Sequence, residues 1–314
     1  MALTRSDIPD LLLPGLKTEF ELAYRSEQED SVAEKIATII NTTQPIQKYA
    51  WLGATPPMRE FVDERRPTGL AAFAISIEDK VYESTIAVDR KAIEDDQLDL
   101  IRLRVRDLAS RVSSHRHQIT VEALLKGDVD FGYDGVEFFG ATHPGPSGTT
   151  ISNLDSNVLN GTNLSSAIKS MMVVPDDSGT PLGMVPDTLV VGPNLMWTAI
   201  ELAESPVVVY QGNTTDTAPS TDYTNAFRGR LRVIVSPYIA GAKEGSWFLL
   251  DTKRPIKGVI LQQRSDVPVD FTALEGNSGS ESAFIRDLFL YGVRARYNVG
   301  YGLWQAAHAG NIGA

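Results

Sequence analysis

Gln97 to Lys126 reads QLDLIRLRVRDLASRVSSHRHQITVEALLK, the longest helical pattern in the chain. Ile101, Val105, Leu108, Val112 and Ile119 recur at steps of three and four, His115 takes the remaining step, and Gly127 supplies a stop. A helix of that length spans ~45 Å, more than the diameter of a small globular domain, so an elongated or flattened subunit is expected. The segment holds six basic residues, Arg102, Arg104, Arg106, Arg111, Arg116 and Lys126, against Asp99, Asp107 and Glu122, in a chain whose net charge is −11. Its basic face could meet acidic surfaces of neighbouring copies or DNA at close range, or be simply solvated. Just upstream, Glu94-Asp95-Asp96 could hold magnesium or serve as an acid and base pair. Their position before a helix N-terminus favours capping and opposition of the helix dipole.

Towards the N-terminus the period shortens. Phe73, Ile75 and Ile77 alternate, Glu78-Asp79-Lys80 suits a turn, and Ser84, Ile86 and Val88 alternate back, which predicts a β-hairpin. Before it, residues 56–67 run PPMREFVDERRP, bounded by prolines and dense in both charge signs. Such a segment suits complementary contact with another copy of the chain through Arg59, Glu60, Glu64, Arg65 and Arg66, with a solvated loop tip as the alternative. The first 45 residues hold two short helical patterns, Leu16, Phe20 and Tyr24 in one and Val32, Ile36, Ile39 and Ile40 in the other. They read as an arm that needs something to dock on, or as two amphipathic helices lying on the body of the fold.

Towards the C-terminus, residues 141–163 and 212–226 read as long loops. Strands at Thr188 to Val191, Leu231 to Val235 and Trp247 to Leu250, with a helix from Leu195 to Glu204, suggest a small α/β layer. Strands are expected again at Val259 to Gln263 and Phe284 to Arg296.

With 42% hydrophobic and 22% charged residues the 314-residue chain has enough apolar material for a packed core, which excludes disorder as its main state. The acidic balance argues against a general DNA-coating protein. With no cysteine, disulfides, thiolate metal sites and cysteine nucleophiles are excluded. Four sequons, at Asn41, Asn160, Asn163 and Asn213, do not argue for secretion without a signal-peptide pattern, and no apolar run approaches the ~18 to 20 residues of a membrane span.

No phosphate loop, nucleophile elbow or zinc helix motif occurs. His115 and His117, two apart on a helix, turn away from each other and read as surface residues. His143 and Asp134 could form a dyad, but no nucleophile or third group accompanies them. Gly300-Tyr301-Gly302 reads as close backbone packing. No catalytic residue, cofactor or metal is expected.

Several stretches, in order, resemble the major head (capsid) proteins of Mu-like tailed bacteriophages. They are Trp51-Leu52-Gly53 with Pro57-Met58-Arg59-Glu60 and Glu64-Arg65; Tyr82 to Ile86 with Val88 and Arg90; Ile93 to Asp96; Tyr133-Asp134-Gly135 with Phe138-Phe139 and His143-Pro144; and Tyr291 to Arg296 running to Gly300 to Gln305. Phe61 and Asp63 depart from the family's Trp and Gly. The resemblance implies the Hong Kong 97 fold, an α+β capsid fold. Its parts would be an N-terminal arm at 1–45, an extended β-hairpin loop at 46–92, a peripheral domain with the spine helix at 93–130 and 256–314, and an axial α/β domain at 131–255. It also implies hexamers and pentamers of an icosahedral head, assembled in the bacterial cytoplasm and present in the virion. Portal, scaffold and decoration proteins would be partners, and packaged double-stranded DNA a non-specific neighbour. The rivals are an encapsulin-like cargo shell and a soluble α/β enzyme using His143 and Asp134.

Overall fold

A computed structural model describes residues 8–29, 31–49, 75–89, 91, 98–176, 179–209, 222–266, 269–274 and 285–312. Helices α1 (Ile8–Glu29) and α2 (Val32–Ile36) lead into strands β1 (Ala37–Thr42), β2 (Ile46–Tyr49), β3 (Ile75–Glu78) and β4 (Lys80–Asp89), then the long helix α3 (Leu98–Lys126). The middle of the chain forms β5 (His143–Pro144), β6 (Thr150–Ile151), β7 (Leu154–Asp155), α4 (Gly161–Val173), β8 (Thr188–Val191), α5 (Met196–Glu204), β9 (Val207–Val209), β10 (Asp222–Thr224), β11 (Arg232–Val235) and β12 (Trp247–Leu250). Strands β13 (Val259–Arg264), β14 (Val269–Leu274), β15 (Leu288–Tyr301) and β16 (Ala307–Gly310) complete it.

The first sheet is organised by β15. Tyr297 pairs with Lys80 of β4 and with Gln263 of β13, and Ala295 pairs with Tyr82 of β4 and Val269 of β14. A strand has two edges, so β4 runs along one while β13 and β14 lie end to end along the other. β1 joins outside β13, parallel to it from Ala37↔Val259 to Thr42↔Arg264. Along β15, Phe289, Tyr291, Val293, Ala295 and Tyr297 are buried, the period-2 mark of a sheet with one face covered. Helices α1 and α3 supply the cover: Phe20 stacks on Phe271 at 5.1 Å, and His115 bonds the Tyr297 hydroxyl at 2.8 Å.

The second sheet has the order β11-β8-β12-β16-β7. Its three inner strands are buried at every residue because both faces are covered. Leu189, Val191, Trp247 and Leu249 pack with Leu164, Ala167 and Met171 of α4 and Ala199, Leu202 and Ala203 of α5. Val190, Phe248 and Leu250 face the main core, where Phe139 meets Phe248 at 5.5 Å.

Helix α3 runs about 43 Å for its 29 residues. Ile101, Val105, Leu108 and Val112 are buried as their spacing predicts. The next step of the stripe is taken by the buried Arg116 rather than the half-buried His115, and the covered face then turns to Thr120, Val121 and Leu124.

Several expectations are revised. The second N-terminal helical pattern ends at Ile36, and Ile39 and Ile40 lie in β1, where a β-branched run finds a parallel partner in β13. β3 and β4 do not form a hairpin. Only Asp79 separates them, too little for a two-residue turn; β3 pairs with β2 and β4 with β15. The Asp79 N–H donates to the Pro45 carbonyl at 2.9 Å, and its carboxylate takes Arg296 at 2.7 Å. Within 141–163, read as loop, Asn160 accepts the Asn163 N–H at 2.8 Å and caps the unforeseen helix α4. The last expected strand begins at Leu288 and extends to Tyr301. β16 pairs with β12 and β7 in the second sheet, although the sequence division groups it with 256–314. Finally, α1 lies on α3 of its own chain, the body-docked alternative, with Leu16 and Phe20 buried and Arg106 bonded to Glu19 at 2.8 Å.

Candidate subunit-contact surfaces and the buried junction

The expected contact residues Arg59, Glu60, Glu64, Arg65 and Arg66 lie outside the described residues, as do Glu94, Asp95 and Asp96. The ladder that brackets the charged segment is described. β2 and β3 pair antiparallel from Ile46↔Glu78 to Tyr49↔Ile75, so the chain leaves at Tyr49 and returns at Ile75. Three polar contacts pin this ladder to the first sheet. The buried Tyr49 hydroxyl donates to Gln262 Oε1 at 2.8 Å, Gln262 Nε2 donates to the Ile77 carbonyl at 3.3 Å, and Asn298 Nδ2 donates to the Glu78 carbonyl at 2.6 Å. Burial pushes the Tyr49 phenol up to about 12, so it stays a donor at neutral pH.

Four of the six basic residues of α3 are exposed arginines, Arg102, Arg104, Arg106 and Arg111. Three of them pair within the chain, with Asp99, Glu19 and Asp107 at 3.4, 2.8 and 4.0 Å. Such exposed pairs contribute ~0 to 1 kcal/mol each. The fifth arginine, Arg116, is only 1% exposed. Its Nη1 donates to the Tyr24 hydroxyl at 2.9 Å and its Nη2 to Gln263 Oε1 at 3.1 Å. Glu34 is the counter-charge, at 3.7 Å. A charged residue four steps beyond Val112 on an apolar stripe was the available sign of it.

His115 and His117 do turn away from each other, but neither is a plain surface residue. His115 packs on Tyr82 at 4.4 Å between ring centroids, and His117 meets Tyr238 edge-on at 4.9 Å. Burial lowers both imidazole pKa values. Between α3 and the β4–β15 face lies a half-open cavity of about 320 Å³, lined by Tyr82, Glu83, Arg111, His115, Tyr238 and Tyr297 among others.

His143 and Asp134 are brought together, Nδ1 to Oδ2 at 2.6 Å, and both side chains are sealed, at 0% and 2% exposure. The imidazole stacks on Trp304 at 4.0 Å, and Nε2 faces Asn153 Oδ1 at 3.2 Å. A catalytic pair needs access to a reacting group; this pair joins structural elements instead. Asn153 extends the join. Its Oδ1 accepts the Gly140 N–H at 2.9 Å, and its Nδ2 donates to the carbonyls of Phe138, Trp304 and Ala307 at 2.9, 3.2 and 3.2 Å. Tyr133 bonds Gln305, and Phe138 stacks on Tyr301 at 4.5 Å. Residues 151 to 172 positions apart in sequence therefore form one knot between the loop after α3 and the turn joining β15 to β16. Gly300 and Gly302 fit the same purpose, since a Cβ at either would strike Ile77 or the Lys257 carbonyl. Asn153 was not foreseen, and neither was Lys257, whose ammonium donates to the carbonyls of Glu34, Lys35 and Ala37 at 2.9, 3.0 and 2.9 Å. Among the described residues no cluster of side chains is suited to hold a metal ion.

The subunit thus combines a sheet under a long helix, a two-stranded ladder pinned to that sheet and a second sheet with its own helices, an arrangement shared with phage capsid chains. The solved procapsid chain of bacteriophage JBD30 is similar, with a TM-score of 0.56 and 25% identity over 98% of this chain and 75% of that one. The fold is of the Hong Kong 97 type. A family model described as Mu-like prophage major head subunit gpT matches residues 10–160, 154–239 and 239–312. The chain belongs to that family. The Mu-like prophage FluMu major head subunit of Haemophilus influenzae is 27% identical over 276 residues, 88% of this chain and 64% of the relative. The major capsid protein of Escherichia phage Mu is 22% identical over 299 residues, 95% of this chain and 72% of the relative. The chain thus spans just under two thirds of the Haemophilus protein's length.

Proposed function

We propose that this chain is the major capsid protein of a tailed bacteriophage, self-assembling into the hexamers and pentamers of an icosahedral head around double-stranded DNA. The observation that carries it is the family match running in order from residue 10 to 312. The role is structural and involves no turnover; the burial of the His143–Asp134 pair supports this against the enzyme reading. In the proposed division, 1–45 is the arm, 46–92 the extended loop on the β2–β3 ladder, 93–130 with 256–314 the peripheral part, and 131–255 the axial part. Arg59, Glu60, Glu64, Arg65 and Arg66 pair with opposite charges on an adjacent copy. Portal, scaffold and decoration proteins are proposed partners, the virion is the location, and assembly takes place in the host cytoplasm. Many modest contacts repeated over a closed lattice then sum to high stability.

The test is electron microscopy and sedimentation of the purified chain, which should give closed or curved assemblies. Reversing two charges, Arg65→Glu with Arg66→Glu, should reduce assembly at least about tenfold while the free subunit keeps its circular dichroism, as expected for like charges brought together at an interface. Wild-type assembly by the reversed protein would remove the loop from the mechanism, and a small compact oligomer from the unaltered chain would remove the shell.

A further inference from the structure

We infer that the buried cation of Arg116 couples α1 and α2 into one strap, so that the two helices loosen from α3 together rather than one by one. Three elements converge on the guanidinium: α1 through Tyr24, α2 through Glu34, and β13 through Gln263. Gln263 is itself held, donating from Nε2 to Asn41 Oδ1 at 2.7 Å. The Nε–H of Arg116 is buried and meets no acceptor. Among the described residues, Glu34 is the one carboxylate within ion-pair distance.

A cation so enclosed has little redundancy, and it is stable only while its few partners are present. Lifting α1 removes the Tyr24 hydroxyl and lets water reach Nη1. Once hydrated there, the cation has less need of Glu34, and α2 loses its charged side-chain tie and keeps the Lys257 bonds to its backbone carbonyls. In the other direction, losing the Glu34 charge leaves a buried cation without a counter-charge, and hydration can relieve it only by displacing α1. Each helix therefore biases the other through a shared group, which is a coupling free energy and works equally in both directions. Among the described residues, the other anchors of α1 include the exposed Arg106–Glu19 pair, the Ser113 hydroxyl donating to the Glu27 carbonyl, and the buried Leu16 and Phe20, the latter stacked on Phe271. Lys257 fixes the backbone carbonyls at 34, 35 and 37 and marks the root of the strap.

Hydrogen exchange by mass spectrometry on the full chain tests this. Tyr24→Phe keeps the ring stacked beside Phe20 and removes one hydroxyl in α1; Glu34→Gln removes one charge in α2. Tyr24→Phe should speed exchange of the α2 amides, and Glu34→Gln that of the α1 amides between 14 and 29, each by about tenfold, while β13 and β15 stay protected. In an Arg116→Met background neither change should cross to the other helix. The double variant Tyr24→Phe with Glu34→Gln gives a second measurement that does not need Arg116→Met to fold: its exchange should match the faster single variant rather than the product of the two. Effects confined to the altered helix, or strict additivity in the double variant, would overturn the coupling and leave Arg116 a packing residue.

Discussion

Replacing Asn153 by Ala should cost about 3 kcal/mol, and the figure follows from the contacts of one side chain. Asn153 is buried and makes five polar contacts, to the Gly140 N–H, to His143 and to three carbonyls. One of the carbonyls keeps another donor, Trp304 O accepting the Ala307 N–H, whereas Ala307 O lies on the side of β16 away from Leu250 and faces Asn153. The Gly140 N–H has only Asn153 Oδ1, and His143 Nε2 loses its partner as well. A buried polar group left unmade costs ~1 to 3 kcal/mol, so the Gly140 N–H, His143 Nε2 and the Ala307 carbonyl, each at the low end of that range, give about 3 kcal/mol with a small void. That is a change of about 150-fold in the folding equilibrium. The assay is urea unfolding of the unassembled chain followed by tryptophan fluorescence, with Trp304 stacked on His143 acting as the local reporter. The control is Asn157→Ala at an exposed position, expected within ~0.5 kcal/mol of the parent. A loss below about 1 kcal/mol for Asn153→Ala would refute the reading of the knot as a satisfied polar network.

Two further expectations concern protonation and close packing. Burial lowers the pKa of His115 and His117 below the usual 6.5 in the fold, so the unfolded chain binds protons first as pH falls. Their contribution to stability is complete above pH 6.5 and declines as pH drops below it towards the folded values. Unfolding measured between pH 7.5 and 5.5 should show that decline, and His115→Gln with His117→Gln should flatten it; an unchanged slope would assign the pH response to other groups. Gly302→Ala should cost about 2 to 4 kcal/mol, because its Cβ would meet the Lys257 carbonyl, a backbone atom that cannot swing aside. A near-neutral effect in the same urea assay would mean the β15–β16 turn can shift.

Much of the element order was legible because it rests on local periodicity. The stripe Ile101, Val105, Leu108 and Val112 marks α3, and the short runs Thr188–Val191, three apolar residues after a Thr, and Trp247–Leu250, all apolar, mark two strands that are buried on both faces. Pairing was less legible. Ile75–Glu78 and Lys80–Asp89 have strand patterns that fit one another, yet each finds a better partner elsewhere, and nothing in a period-2 pattern names the partner. The junction residues were visible one by one as motif positions, and His143 beside Asp134 suggested chemistry. Only their burial, and the stacking of Trp304 from the far end of the chain, turned that pair into a structural join.

By itself the amino-acid order determined the composition class, the long helix, most strands and, through an ordered set of motifs, the family. These depend on spacing along the chain and on side-chain type, which are local quantities. Only the tertiary structure decided which strands pair, that α1 lies back on its own long helix, that Arg116 rather than His115 enters the core, and that Asn153 closes the knot. Those outcomes turn on whether a polar group in the interior can find its partners, and the partners come from segments more than a hundred residues away.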